Sequence, residues 1–114
     1  MNSPIQRGSV VWADLDPATG REQAGVRPAV VIASAGYLTN VADLVVVLPI
    51  TTTDRGWLHH VRVSGPTVQL PRESFAMTEQ VRTISRERIT RTRGVASDAA
   101  MAEIDSWLRD FIDL

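Results

Sequence analysis

Pro28-Ala29-Val30-Val31-Ile32-Ala33-Ser34 and Leu44-Val45-Val46-Val47-Leu48-Pro49-Ile50 are the runs whose reading decides the fold. Each is apolar almost throughout and of strand length, without the alternating polar residues that mark a sheet with one wet face. Such runs belong to strands covered on both sides, so both are placed in the middle of a sheet. Proline has no N–H to give to a ladder; Pro28 is therefore expected to open its strand, and Pro49 to close the next or to sit at a bulge. On the N-terminal side, Gly8 to Leu15 is rich in β-formers and is read as a strand, and Asp14 to Gly20, with Pro17 and Gly20, as a loop. On the C-terminal side, shorter strands are expected at His59 to Val63, around Ser74 to Ala76, at Gln80 to Ile84 and near Thr92 to Val95, punctuated by Gly56, Gly65 and Pro66.

The period then changes. Met101, Ile104, Trp107, Leu108, Phe111 and Ile112 fall on one helical face, with Asp98, Glu103, Asp105 and Asp110 largely elsewhere. Ser97 suits an N-cap, and Asp98 follows it at the positive end of the helix dipole. Strands followed by one amphipathic helix predict a mainly β (α+β) architecture: an antiparallel β barrel or sheet closed by a C-terminal helix.

With 114 residues, 44% of them hydrophobic and 22% charged, the chain has the size of one domain, residues 1–114, around one core. There is no cysteine, which excludes disulfides and thiolate metal sites, and with only His59 and His60 an imidazole-rich metal cage is not expected. Neither a metal nor a cofactor is anticipated. The polar start from Met1 to Gln6 does not suggest a signal peptide, and no run is long enough to span a membrane, so a cytoplasmic location is expected. The net charge of −1 conceals a split: residues 1 to 96 carry eleven arginines against eight acids, whereas residues 97 to 114 carry Arg109 against five. Lysine is absent. That absence is consistent with codon bias; it is also consistent with phosphate recognition, since the guanidinium binds phosphate in a planar, bidentate way.

Three stretches carry chemistry. Gly20-Arg21-Glu22-Gln23-Ala24-Gly25-Val26-Arg27-Pro28 is a polar, glycine-containing loop that delivers Glu22 and Arg27 to the mouth of a buried strand. Taken alone, Arg27 is equally a salt-bridge partner, and Glu22 a solvated loop carboxylate. Pro49-Ile50-Thr51-Thr52-Thr53 sets a threonine cluster at a strand end, where hydroxyls can donate to a phosphate oxygen. Met77 to Ile84 alternates outward polar groups with inward apolar ones and reads, without context, as an exposed strand face. Trp57, with Arg55 beside it, sits in a loop and serves either to stack an unpaired base or to pack beneath that loop. Trp12 and Trp107 are read as core residues, and His59 and His60 as structural.

In combination these segments resemble the MazF/PemK family of toxin endoribonucleases nearly end to end. The opening Arg7-Gly8-Ser9-Val10-Val11-Trp12-Ala13-Asp14-Leu15-Asp16-Pro17, the Pro49-Ile50-Thr51 strand end, Glu79-Gln80-Val81-Arg82 and the closing helix support the likeness. Glu22-Gln23-Ala24-Gly25-Val26-Arg27-Pro28 is its specific part. The resemblance implies a small SH3-like barrel of the CcdB/PemK kind. It places Arg27 at the position of the catalytic arginine, Thr51 at that of the catalytic threonine and Glu22 at that of an active-site loop glutamate. Thr52 and Thr53 would frame the site, and Gln23, Arg55, Trp57, Gln80 and Arg82 are the expected RNA-binding residues.

What the resemblance further implies is metal-independent cleavage of single-stranded RNA by its own 2′-hydroxyl, leaving a 2′,3′-cyclic phosphate and a 5′-hydroxyl. It also implies a homodimer and a MazE-like antitoxin whose acidic, disordered segment occupies the RNA groove. Two alternatives remain open. One is a CcdB-like poison of DNA gyrase, although such proteins act through a Trp-Gly-Ile-type tail and this chain ends Asp110-Phe111-Ile112-Asp113-Leu114. The other is a barrel that binds nucleic acid without cutting it.

Overall fold

The computed structural model describes residues 4–15 and 25–113. The chain lays down β1 (Ser9–Asp14), β2 (Val26–Val31), a short helix α1 (Ala35–Asn40), β3 (Leu44–Thr51), β4 (His60–Arg62), β5 (Phe75–Met77) and β6 (Arg82–Ser85). A 3-10 turn at Arg86–Arg88, β7 (Ile89–Val95) and α2 (Asp98–Ile112) complete it. Among the described residues seven strands form one antiparallel sheet in the order β4-β5-β3-β2-β1-β7, with β6 also paired to β3.

β1, β2 and β3 are covered on both faces, as their apolar runs require. Val10, Val30 and Leu48 point to one side, where Val61, Ala76, Met101 and Ile104 complete a core beneath α2. Val11, Ala29, Val31, Val45 and Val47 point to the other, against Ile84 with Tyr37 and Leu38 of α1 packed outside them. Each fully buried aliphatic side chain contributes about 1.5–3 kcal/mol, so the central strands dominate the stability.

Both prolines lie inside strands, a correction to the sequence reading. β2 opens at Val26, two residues before Pro28, and β3 runs past Pro49 to Thr51. Backbone groups of successive residues face opposite edges of a strand. Ile32 N donates to Val46 O, so Pro28 faces β3 and Pro49 faces away from β2. On that far edge the ladder to β6 ends at Val47 and the ladder to β5 begins at Ile50. Pro49 therefore falls in the gap between two partners, where no N–H is needed.

Other boundaries also move. Ser34 is not a strand residue: its hydroxyl caps α1 by accepting from Tyr37 N at 3.1 Å, an element the sequence reading did not anticipate. Residues 78 and 79 form a turn, closed by Gln80 N to Met77 O at 3.0 Å, and β6 begins only at Arg82, so the expected alternation fails there: Thr78 is buried and Val81 half exposed. Ser97 caps α2 as expected, accepting from Ala100 N at 3.1 Å. The apolar stripe of α2 outruns the sheet. Met101 and Ile104 are buried, Trp107 and Leu108 pack partly on the core, and Phe111 and Ile112 are exposed.

At Gly94 the chain bends β7 against the turn at residues 65–68. Its φ is +93°, and a Cβ there would overlap the Thr67 carbonyl and lie 2.8 Å from Val68 N. Gln69 N to Arg93 O and Val95 N to Thr67 Oγ1, each 3.0 Å, hold the two segments together. The wall of the pocket described next hangs from this crossing.

Candidate active site

The pocket opens where the β2–β3 ladder stops. The last pair is Ala29 with Pro49, and the next would be Pro28 with Ile50, a pair whose hydrogen bonds need the N–H that Pro28 lacks. One step further the same register sets Arg27 opposite Thr51. The strands part there and leave an open pocket of about 260 Å³ with Arg27, Thr51, Thr52 and Thr53 on its polar side. Trp12, Pro28, Ile50, Leu70 and Pro71 form its apolar walls.

Arg27 and Thr51 differ in burial. Thr51 is buried at 8% exposure, and its Oγ1 accepts from Thr53 N at 3.1 Å, which leaves the hydroxyl hydrogen available to an anion in the pocket. Arg27 is exposed at the start of β2 and carries a permanent charge on a planar fork. A buried hydroxyl donor and a guanidinium lining one cavity are groups that can together bind a phosphate.

The other expected residues divide. Glu22 and Gln23 lie outside the described residues. The stems on either side are joined by Leu15 N to Gly25 O at 2.9 Å. Arg82 donates to the Leu15 carbonyl at 2.9 Å, and Arg88 and Thr90 donate to the carbonyls of Asp14 and Trp12, so the end of β1 is braced from β6, the 3-10 turn and β7. Gln80 reaches Glu79 at 3.5 Å through its amide nitrogen.

Arg55 and Trp57 stand in the loop between β3 and β4, beside a second pocket lined by Trp57, Leu58, His59 and Glu79. Trp57 is 46% exposed, stacks on His59 at 5.4 Å and carries the Arg55 guanidinium 5.4 Å from its ring centre. It shares no lining residue with the Arg27 pocket.

Trp12 is a correction. It is half-buried and walls the Arg27 pocket, not a core residue; the alternation of β1 buries Val11, Ala13 and Leu15 on the opposite face. Leu70 and Pro71, brought in by the connection from β4 to β5, carried no sequence signal.

His59 and His60 are structural in part, and they converge on Glu79. His60 Nε2 lies 3.0 Å and His59 Nε2 3.5 Å from Glu79 Oε1. Burial alone would push the Glu79 carboxyl up. The hydrogen bond from His60, a backbone hydrogen bond and the nearby imidazoles outweigh it and hold the carboxyl below its ordinary value.

An antiparallel sheet with a C-terminal helix and a pocket lined by arginine and threonines where two strands part defines a class of small β proteins with a polar cleft at a strand end. Within that class, residues 6–112 match the family model described as PemK-like, MazF-like toxin of type II toxin-antitoxin system, and the chain belongs to that family. It is 34% identical over 115 aligned residues to the endoribonuclease MazF9 of Mycobacterium tuberculosis, covering 96% of this chain and 98% of that protein. Among solved structures it is similar to MazF of Deinococcus radiodurans, with a TM-score of 0.83 and 24% identity over 99% of this chain and 100% of that one. It is also similar to an endoribonuclease solved with its cognate antitoxin from a mycobacterial species, with a TM-score of 0.73 and 22% identity over 100% of this chain and 97% of that one. These structures share its fold, in agreement with the barrel-like sheet and closing helix expected from the sequence.

Proposed function

We propose that this chain is a single-domain toxin that cuts single-stranded RNA, sequence-specifically, as a homodimer in the cytoplasm, and is held in check by a MazE-like antitoxin. The observation that carries the reading is the placement of Arg27 and Thr51 in one pocket. The 34% identity to a protein named as an endoribonuclease supports it. No helix among the described residues is long and apolar enough to cross a membrane, which fits a cytoplasmic reading.

The chemistry needs the 2′-hydroxyl in line with the scissile phosphorus, a proton removed from it, charge stabilised on the phosphoryl oxygens and a proton delivered to the 5′ oxygen. A guanidinium holds its proton far above neutral pH and is a poor base there. Arg27 therefore stabilises the phosphorane, Thr51 donates a hydrogen bond to the same phosphate, Glu22 accepts the 2′-hydroxyl proton, and water supplies the proton to the departing 5′ oxygen. The products are a 2′,3′-cyclic phosphate and a 5′-hydroxyl, and DNA, lacking the nucleophile, survives.

The test is to incubate the purified chain, in excess EDTA, with a long unstructured RNA and the matching DNA, and to map the ends. Discrete RNA cuts bearing cyclic phosphates are expected, with Arg27→Ala slower by on the order of 10²- to 10³-fold and folded normally. RNA binding without cutting would instead make the protein a non-catalytic barrel. Equal rates for Arg27→Ala and wild type would remove Arg27 from the site.

A further inference from the structure

We propose that His59, His60 and Glu79 form a binding site for one divalent transition ion of the zinc, cobalt or nickel kind. It shares no residue with the Arg27 pocket and stands independently of the function proposed above. The presence of only two histidines argued against a metal cage; Glu79, nineteen residues from His60, supplies the third donor through the fold.

The geometry fits such an ion. The donor atoms of the three side chains all lie within 4.8 Å of one another. His60 Nε2 and His59 Nε2 stand 3.0 and 3.5 Å from the same carboxylate oxygen. An ion bound at about 2.0–2.1 Å to tetrahedral ligands has donor–donor edges of about 3.3 Å, between these two values. Two imidazole nitrogens and one carboxylate select borderline transition ions, whereas calcium and magnesium demand more oxygens.

The donors are held in place before any ion arrives. The His60 side chain is 3% exposed, and its strand pairs His60 with Met77 so that the following turn presents Glu79. Thr78 Oγ1 donates to the His59 carbonyl at 2.6 Å, tying that turn to the start of β4. The His59 ring is packed by Trp57, Trp107 and Phe111 at 5.4, 6.2 and 5.7 Å. On the outer side, His59 and Glu79 line the open pocket of about 480 Å³ with Trp57 and Leu58, which leaves a coordination position for water or an incoming ligand.

One feature limits the affinity. Among the described residues His60 Nδ1 is buried without a hydrogen-bond partner, so a ring metallated at Nε2 finds no acceptor there for its remaining N–H. A missing partner of that kind costs roughly 10- to 100-fold in metal affinity. The ion clamps the end of the loop between β3 and β4 to the turn after β5. The other end of that loop carries Thr52 and Thr53 into the first pocket.

The experiment uses the full chain freed of metal by EDTA and then exchanged into chelator-free buffer. Titration with Co²⁺, followed by its visible d–d absorption, and equilibrium dialysis with Zn²⁺ are expected to show one ion per chain and a thermal midpoint that rises with Zn²⁺. His59→Ala and Glu79→Gln, chosen because His60 is buried and its loss endangers folding, are each expected to weaken binding by more than 10- to 100-fold. They should also abolish the Zn²⁺-dependent rise. Circular dichroism checks that both variants remain folded. A wild-type chain that takes up no Co²⁺ at millimolar concentration, or variants that bind as wild type does, would overturn the assignment. RNA cutting that persists in EDTA leaves it intact, because that activity reports on the other pocket.

Discussion

Replacing Gly94 with alanine tests the crossing on which the pocket wall hangs. Alanine at a φ of +93° meets a left-handed penalty of about 1–2 kcal/mol. The added Cβ overlaps the Thr67 carbonyl, so residues 67 and 68 must move away from β7. That displacement breaks Gln69 N to Arg93 O and Val95 N to Thr67 Oγ1, each worth about 1 kcal/mol net. The sum is about 3–4 kcal/mol. For a chain of this size each kcal/mol moves the melting temperature by roughly 4 °C, so a fall of about 12–16 °C is expected. Thermal denaturation followed by circular dichroism measures it. Because Leu70 and Pro71 follow the displaced turn and wall the Arg27 pocket, RNA cutting measured well below the new midpoint should also fall. A Gly94→Ala protein that melts within about 2 °C of wild type would refute the close approach and the positive φ together.

Ile104, with no exposed surface at the centre of the core under α2, should cost about 2–5 kcal/mol when cut back to alanine, measured by guanidinium denaturation with an unchanged m-value. Arg82→Met should lower stability by about 1–3 kcal/mol by leaving the Leu15 carbonyl without its guanidinium donor. If Arg82 acts only as that brace, the salt dependence of RNA binding stays as in wild type; a slope reduced by about 0.7 would show that it neutralises a phosphate.

Much of the candidate site was legible because its residues lie near each other in sequence or at strand ends. Arg27 reads as a loop-delivered cation since it precedes a buried run, and Thr51 as a strand-end hydroxyl since the apolar run stops before it. Trp12 was misread because a tryptophan in a β-rich segment packs equally well in a core or along a pocket. Which of the two holds depends on whether the neighbouring strand continues past it. The His59–His60–Glu79 cluster was invisible for a similar reason: it needs the His60–Met77 pairing, a contact between segments whose order along the chain says nothing of their register.

The sequence by itself determined that β2 and β3 lie centrally, that a helix capped by Ser97 closes the chain, and that Arg27 and Thr51 stand at strand ends. Period and apolar content are local properties, and burial follows from them. Only the tertiary structure decided that the β2–β3 ladder ends at Ala29 and Pro49, that the strands part there to make a cavity, and which distant side chains wall it. The physical reason is that a ladder ends where a donor is missing and a partner turns away. The missing donor, Pro28, is written in the sequence; its partner strand is set only when the sheet assembles.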